Sequence, residues 1–469
     1  MMKRIKSYLA VLLALVLLVG CGAPANTAGS PTATPSATST GVASETPTNA
    51  SKEPIEVIWW SNFSGTMAET LATMIQKYNY VQDKYVVKFE FQGGASDLMA
   101  KLQASTQKEL PDMFSGAVEH TGFFAASEFT KPLQDFIDAD KWDYSTTYPH
   151  LKSAYSDGEG KQIGYPIGNS FAGVYVNMDI FKAAGIDPYK EIKSLQDVYE
   201  ISKKLVDGGY CEYGVAFHPN GYYVNAALAV EGVDSVDAGN GYNGKATACL
   251  YDTSPTKDAL YSMLDAYQKI YAGGYGVPYG TDCNAEVVPM FATGKLAMFV
   301  GVISFHNRIL KAGGDKVDIG MLTMPGCSDN SRSSGQPAGG TGSFICNNGR
   351  TESQQGAYDF IKWLAEPENA AYWSTSTGYL PVSSNAAETD TYKAFVEKVF
   401  PRATYCLDAQ ENGDSNTKTP YLPIANEVLK ANLLAVEQVC NDPKYSIDQA
   451  IKDANATIAE ALELYNLAN

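Results

Sequence analysis

The sequence predicts an α/β fold resting on mainly parallel sheets, and three observations carry that prediction. Residues 55–60, Ile-Glu-Val-Ile-Trp-Trp, are a short apolar run of strand character; Met67, Leu71, Ile75 and Tyr78 then recur at helical spacing, and a second strand-like run follows at 86–91. A helix near 96–107, a Pro111-Asp112 turn and a short strand at 113–115 complete a β-α-β-α-β order, which calls for parallel strands joined by crossover helices. The 469 residues are 45% hydrophobic and 19% charged, a globular composition long enough for two or three units.

The rest of the chain keeps the same rhythm. Helical periodicity returns at 195–206, 259–271, 357–364 and 447–465, with strands at 213–217 and 296–300 between. In the last helix Ile447, Ala450, Ile451, Ala454, Ile458, Ala461, Leu462 and Tyr465 share one stripe, the face that a core covers. No repeat of fixed period is present.

The first 20 residues are read as a leader. Lys3, Arg4 and Lys6 precede an apolar run from Tyr8 to Val19, too short to span a bilayer and of the form that export signals take. Leu18-Val19-Gly20-Cys21 closes it and resembles the lipobox of bacterial lipoproteins, in which the cysteine is diacylated and becomes the new N-terminus; Cys21 is therefore the expected lipid anchor, and two acyl chains suffice for stable attachment. Residues 21–53, rich in Ser, Thr, Pro and Ala, hold too little apolar surface to offset their ordering entropy and read as a disordered stalk.

Charge and cysteine usage exclude several functions. With 52 acidic and 35 basic residues the formal charge is −17, and loss of the leader takes it to about −20, so the chain repels phosphate backbones and no nucleic-acid partner is expected. Cys211, Cys249, Cys283, Cys327, Cys346, Cys406 and Cys440 show no CxxC spacing. Bridges between Cys211 and Cys249 and between Cys327 and Cys346 stay open beside buried free thiols. The four histidines, His120, His150, His218 and His306, are scattered, and no HExxH, GxSxG or phosphate loop ending in Gly-Lys-Ser/Thr occurs. Gly339-Gly340-Thr341-Gly342 is too short for a phosphate loop and reads as a sharp turn. No metal, cofactor or catalytic residue is expected, although paired carboxylates of a glycosidase, which need only meet in space at about 5–9 Å, leave no trace in a sequence.

Ligands of open α/β sheets sit beyond the carboxyl ends of strands. Trp60-Ser61-Asn62-Phe63-Ser64-Gly65 follows the first strand and offers an aromatic with small hydrogen-bonding groups, although a helix cap or core packing accounts for these residues equally well.

Four segments, read in order, resemble the solute-binding proteins of ABC sugar importers, the family that includes maltose-binding and glycerol-3-phosphate-binding proteins. They are Gly164-Tyr165-Pro166-Ile167 with the run from Gly173 through Tyr175-Val176-Asn177-Met178-Asp179 to Gly185-Ile186-Asp187-Pro188; Phe291-Ala292-Thr293-Gly294-Lys295-Leu296-Ala297-Met298; Phe360-Ile361-Lys362-Trp363-Leu364; and Thr377-Gly378-Tyr379-Leu380-Pro381-Val382. The resemblance covers residues 55–465 and implies a periplasmic-binding-protein type II-like fold, two α/β lobes with a hinge and a ligand cleft between them. It divides the chain into 54–167 (first lobe), 168–322 (second lobe), 323–377 (first lobe again) and 378–469 (second lobe, C-terminal helices). Crossings between lobes are expected at Pro166 with Gly164 and Gly168, near 321–326 and near 377–381.

The same resemblance implies a non-enzymatic, monomeric importer subunit without cofactor, tethered at the extracellular face of a bacterial membrane, that captures a mono- or oligosaccharide and passes it to ABC permease subunits. Its ligand-binding positions correspond to Trp60, Ser61 and Asn62, to Glu119, to Asn169 and Ser170, to Tyr222, to Ser304 and Phe305, to Gly340 and Thr341, and to Tyr379. Glycerol-3-phosphate or a glycerophosphodiester is the alternative ligand. Where glycerol-phosphate binders place an arginine, this chain has Asn416-Thr417-Lys418-Thr419-Pro420 with only Lys418 charged, which favours a neutral sugar. A surface-anchored glycoside hydrolase or lyase, and an adhesin, are the remaining alternatives.

Overall fold

The computed structural model describes residues 53–313, 316–328, 335–411 and 417–469. The leader, Cys21 and the stalk as far as Lys52 lie outside the described residues.

Among the described residues ten strands form two sheets. In chain order they are β1 Ile55–Ser61, β2 Tyr85–Phe91, β3 Met113–Ala117, β4 Thr130–Lys131, β5 Tyr165–Ser170, β6 Ala172–Asn177, β7 Tyr213–Phe217, β8 Leu296–Val302, β9 Ile319–Thr323 and β10 Gly339–Cys346. The first sheet has the order β2-β1-β3-β10-β4, with β5 also paired to β10; the second has the order β7-β8-β6-β9. Two α/β lobes result, each with its own sheet.

The expected mainly parallel sheets are in fact mixed. The β2-β1-β3 unit is parallel, as the crossover rhythm requires, and so is β7-β8. β10 runs antiparallel to β3, β4 and β5, and β6 runs antiparallel to β8 and β9. The reversal has a topological cause: strands that carry the chain between the sheets enter from the opposite end.

Each sheet is covered on two faces, which explains why its strands are apolar almost throughout. Along β1, Val57 and Trp59 point to one side and join Leu71, Met74 and Tyr78 of the helix Gly65–Val81 and Phe360 and Ile361 of Thr351–Leu364. Trp60 points to the other side, toward Leu98 and Leu102 of Ala95–Ala104 and the stacked Phe114 and Phe344 rings, 5.2 Å apart. In the second lobe Val174, Val176, Val215, Met298 and Val300 meet the helices Leu195–Asp207 and Thr256–Ala272, and Ala425–Asn441 and Ile447–Ala468 pack behind them.

Helix ends follow local chemistry. Leu195–Asp207 begins with a capping box, the Asp197 N–H donating to Ser194 Oγ (3.2 Å) and the Ser194 N–H to Asp197 Oδ2 (2.9 Å). The Asn-Met-Asp segment after β6 starts Met178–Ala184, where Asn177 Oδ1 accepts from the N–H groups of Asp179 and Ile180.

The chain moves from the first sheet to the second at Phe171, between β5 and β6, and has returned to the first sheet by Gly339, where β10 follows β9. A third strand-like segment lies beside β5, where the Leu380 N–H donates to Asn169 O (2.9 Å) and Asn169 Nδ2 donates to Pro381 O (3.1 Å). All seven cysteines of the described residues are free thiols and only Cys211 is partly exposed, so neither open bridge is present. Among the described residues no helix is long and apolar enough to cross a membrane.

Candidate functional site

The carboxyl ends of four strands, two from each sheet, converge on one cavity of about 350 Å³. After β1 come Asn62, Phe63 and Ser64; at the end of β3 lie Ser115 to Ala117 and, one turn on, His120. From the second lobe His218 and Asn220 follow β7, and Ser304, Phe305 and Arg308 follow β8. Gly340 and Thr341 of β10 and Tyr379 of the third crossing complete the walls.

Six of the residues expected from sequence therefore share one cavity: Asn62, Ser304, Phe305, Gly340, Thr341 and Tyr379. Ser61 does not reach it. Fully buried, it bonds to Ser115 (Oγ···Oγ 2.6 Å) and accepts the Phe63 N–H (3.2 Å), while Ser115 Oγ donates to Asn62 Oδ1 (3.1 Å). Ser61 fixes the loop that carries Asn62.

Trp60 does not line the cavity. It is still inside β1, which runs on to Ser61, and packs on Leu98 and Leu102, where Nε1 donates to Glu90 Oε2 (2.9 Å) and the Lys101 ammonium lies 3.9 Å above the ring. A stacking role for Trp60 in the cleft does not fit this placement. Trp60→Phe is expected to leave the affinity for any cleft ligand within about twofold while lowering stability by about 1 kcal/mol through the lost hydrogen bond, which paired titration calorimetry and urea unfolding would read.

Glu119, in the turn Val118–His120, is partly buried, and burial pushes its carboxyl above the usual carboxylate range. Its charge acts on the phenols of Tyr155, Tyr222 and Tyr379, so these four side chains form a cluster beside the cavity. Burial comes first among the causes that hold Tyr379 up at about 12, so the phenol is a neutral donor at neutral pH. Tyr222, 4% exposed, lies beneath β10 and has no hydrogen-bond partner for its hydroxyl among the described residues; the same holds for Tyr155. Asn169 and Ser170 serve the crossings instead of the cavity wall: Asn169 holds the 380–381 segment, and Ser170 O accepts Gln410 Nε2 (3.0 Å).

Sequence reasoning missed His120, His218, Arg308 and Tyr155. His218 is the first residue after β7, and the strand-end rule alone points to it. Its ring meets Phe305 edge-on at 5.3 Å, Nδ1 bonds to Tyr223 Oη at 3.0 Å, and burial with the nearby Arg308 charge lowers it to about 4, so it is neutral at pH 7. His120 Nε2 bonds to Asn426 Oδ1 at 3.0 Å and ties the first lobe to the helix Ala425–Asn441. Arg308 lies one turn beyond Ser304, its guanidinium 4.8 Å from the Phe305 ring centre and its Nη1 donating to Asn284 Oδ1 (3.0 Å). Among the described residues lining the cavity it carries the one permanent charge, and no Asp or Glu lines it. Nothing in the local sequence marks Tyr155, which reaches the cluster from the end of the helix Pro149–Ala154.

Residues 73–399 match the model of the bacterial extracellular solute-binding protein family. The sn-glycerol-3-phosphate-binding periplasmic protein UgpB of Escherichia coli O1:K1 is 27% identical over 415 residues, 87% of this chain and 91% of that protein. Among solved structures, the cyclic alpha-maltosyl-1,6-maltose binding protein of Arthrobacter globiformis is 21% identical with a TM-score of 0.65, over 87% of this chain and 99% of that one. Maltose-bound MalE3 of T. maritima is 17% identical with a TM-score of 0.70, over 88% of this chain and 100% of that one. An ABC transporter solute-binding protein of Agrobacterium radiobacter K84, in complex with ribitol, is 17% identical with a TM-score of 0.72, over 87% of this chain and 98% of that one. These structural likenesses establish the two-lobed fold.

Proposed function

Since the chain belongs to the bacterial extracellular solute-binding protein family, we propose that it is the substrate-binding component of an ABC importer, which captures a carbohydrate in the interlobe cleft and hands it unaltered to permease subunits. The observation that carries this reading is the convergence of strand ends from both sheets on one cavity. Its walls combine amide and hydroxyl groups of Asn62, Ser304 and Thr341 with the rings of Phe305 and Tyr379, the pairing that a sugar's hydroxyls and its apolar face call for. A ligand that touches both lobes favours the closed arrangement by its differential affinity for it, and the crossings at Phe171, between β9 and β10, and at 379–381 are the hinge. The chain acts as a monomer in this cycle.

Melting of the full chain against mono-, di- and oligosaccharides and glycerol phosphates tests the reading. At one hundred times Kd a true ligand adds about 2.7 kcal/mol, a clear rise in Tm. No rise with any of them, or new reducing ends after incubation, contradicts it; new ends would support the hydrolase.

Arg308 favours a second ligand class, glycerol-3-phosphate or a glycerophosphodiester. Lys418 lines a different cavity, with its ammonium 4.7 Å over Tyr242, whereas Arg308 brings a guanidinium to the cleft itself. If the ligand carries a phosphate, Arg308→Gln lowers its affinity by about tenfold, the worth of one charge-assisted hydrogen bond, and leaves a neutral sugar unaffected; calorimetric titration with both ligands reads the difference.

The reading includes a diacyl anchor at Cys21, on the extracellular face of the membrane. It is motivated by the charged, apolar leader that ends in Leu-Val-Gly-Cys. A Cys21→Ser chain should take up no labelled palmitate, and equal labelling of both chains would refute the anchor.

A further inference from the structure

Among the described residues β2 is the outer strand of the first sheet, paired to β1 alone. An outer strand carries a row of backbone N–H and C=O groups with no strand to receive them. Its sequence, Tyr-Val-Val-Lys-Phe-Glu-Phe, holds strand formers without Pro or Gly, and Lys88 and Glu90 cancel in charge, the composition that adds a further strand most readily.

Parity fixes which groups face outward. The Ile55 N–H donates to Lys84 O (2.9 Å) and the Gln92 N–H to Ser61 O (2.9 Å), so even-numbered residues bond β1. The odd-numbered ones, Tyr85, Val87, Phe89 and Phe91, turn their N–H and C=O away from the sheet. Two side-chain amides close the first two. Gln82 Oε1 accepts the Tyr85 N–H (2.8 Å) and Gln82 Nε2 donates to Tyr85 O (2.7 Å); Asn79 Oδ1 accepts the Val87 N–H (2.9 Å) and Asn79 Nδ2 donates to Val87 O (2.9 Å). Each amide copies the donor and acceptor of a neighbouring strand. Gln82 also accepts the Lys84 N–H (3.0 Å) and so shapes the turn into β2, whereas the Asn79 side chain makes only its two bonds to Val87 among the described residues.

The strand that these amides displace is a second β2. Laid antiparallel about Val87, two copies would set Val87 opposite the partner's Val87, Tyr85 opposite the partner's Phe89 and Lys84 opposite the partner's Glu90. That register gives about six backbone hydrogen bonds, with aromatic and opposite-charge pairs across the strands. Every one of those bonds needs Tyr85 or Val87, so the two amides close the pairing completely. We infer that Asn79 and Gln82 are edge plugs that hold the chain monomeric, by occupying the backbone groups through which β2 would pair with a second copy of the chain. The inference does not depend on which ligand the cleft takes.

The test compares the full chain with its Asn79→Ala/Gln82→Ala variant by multi-angle light scattering over a concentration series, circular dichroism confirming that the variant is folded. The variant should dimerise with a Kd at least about tenfold below that of the unaltered chain. Adding Lys84→Glu, which sets like charges opposite each other in the dimer, should weaken it again. A folded variant as monomeric as the unaltered chain overturns the inference and leaves the amides as tethers between helix and strand. Association that Lys84→Glu leaves untouched overturns it too, since the contact then lies elsewhere. Should the double variant not fold, Asn79→Ala alone decides, because it frees Val87 and keeps the turn at Gln82: a weaker dimer supports the plugs and a monomer refutes them. In the unaltered chain, hydrogen exchange at the Tyr85 and Val87 amides should be at least about tenfold slower than at those of Phe89 and Phe91; equal rates would show the plugs open in solution and overturn the inference as well.

Discussion

Asp112→Ala is expected to cost the folded body about 2–4 kcal/mol, through the loss of a buried carboxylate's charge-assisted hydrogen bonds and of the acceptor of a strand N–H, while the half-exposed Arg350 it pairs with returns to water. Asp112, 2% exposed, stands just ahead of β3. Its Oδ2 accepts the Ile58 N–H of β1 (2.8 Å); its Oδ1 accepts Asn348 Nδ2 (2.7 Å), Ser353 Oγ (2.6 Å), and Arg350 Nε and Nη2 (3.1 and 2.9 Å). One carboxylate thus ties β1, β3, the end of β10 and the start of the helix Thr351–Leu364. Without it Arg350 keeps the carbonyls of Lys108 and Leu110, and Asn348 keeps that of Pro111, but the Ile58 N–H loses its acceptor. Asp112→Asn retains an acceptor without the charge and should fall between. Urea unfolding followed by circular dichroism measures both, and a loss below about 1 kcal/mol for the alanine variant would show that the network is dispensable.

Gly340→Ala is the second large effect, expected at about 2–4 kcal/mol with a fall in ligand affinity of tenfold or more. Gly340 has φ +104°, where a side chain costs about 1–3 kcal/mol in strain. A Cβ there would stand 2.1 Å from Gly168 O and 3.2 Å from Ser170 N, backbone atoms of the paired crossing strand that cannot step aside without opening the β5–β10 ladder. Thr341, the next residue, and Tyr379, whose ring packs on Gly168, move with that ladder and take two walls of the cleft with them. Gly160→Ala is the control, since Gly160 has φ +83° but open space around it and should lose only the strain. Unfolding and ligand titration on the two variants separate strain from collision.

How far the sequence could be read depended on how local each cause is. The β-α-β-α-β start and the stripe of Ile447–Ala468 were legible because strand character and helical periodicity act within a few residues. The glycine-rich run at 339–342 was not. It reads as a turn because glycine weakens strands, yet it forms the start of β10, where a Cβ on Gly342 would stand 2.3 Å from the Tyr155 ring. A contact across nearly two hundred residues selects glycine there, and no local pattern reports it. Trp60 was misplaced because β1 runs one residue further than the sequence reading put it, to Ser61, so Trp60 stays packed inside the strand and the loop that reaches the cleft starts at Asn62. Asn62, directly after a strand, was legible from topology and Ser304 from the family resemblance, while Tyr155 joins its cluster only when both lobes are assembled.

The distance across the cleft is the most direct test of closure on an unaltered guest. Spin labels at Ser64 and Lys311, exposed positions beside opposite walls, would be measured by double electron–electron resonance in the full chain, with and without the best ligand of the melting screen. The account predicts a saturable shift toward shorter distances and recovery of the ligand chemically intact. An unchanged distance at saturating ligand, or a ligand recovered cleaved, would contradict it.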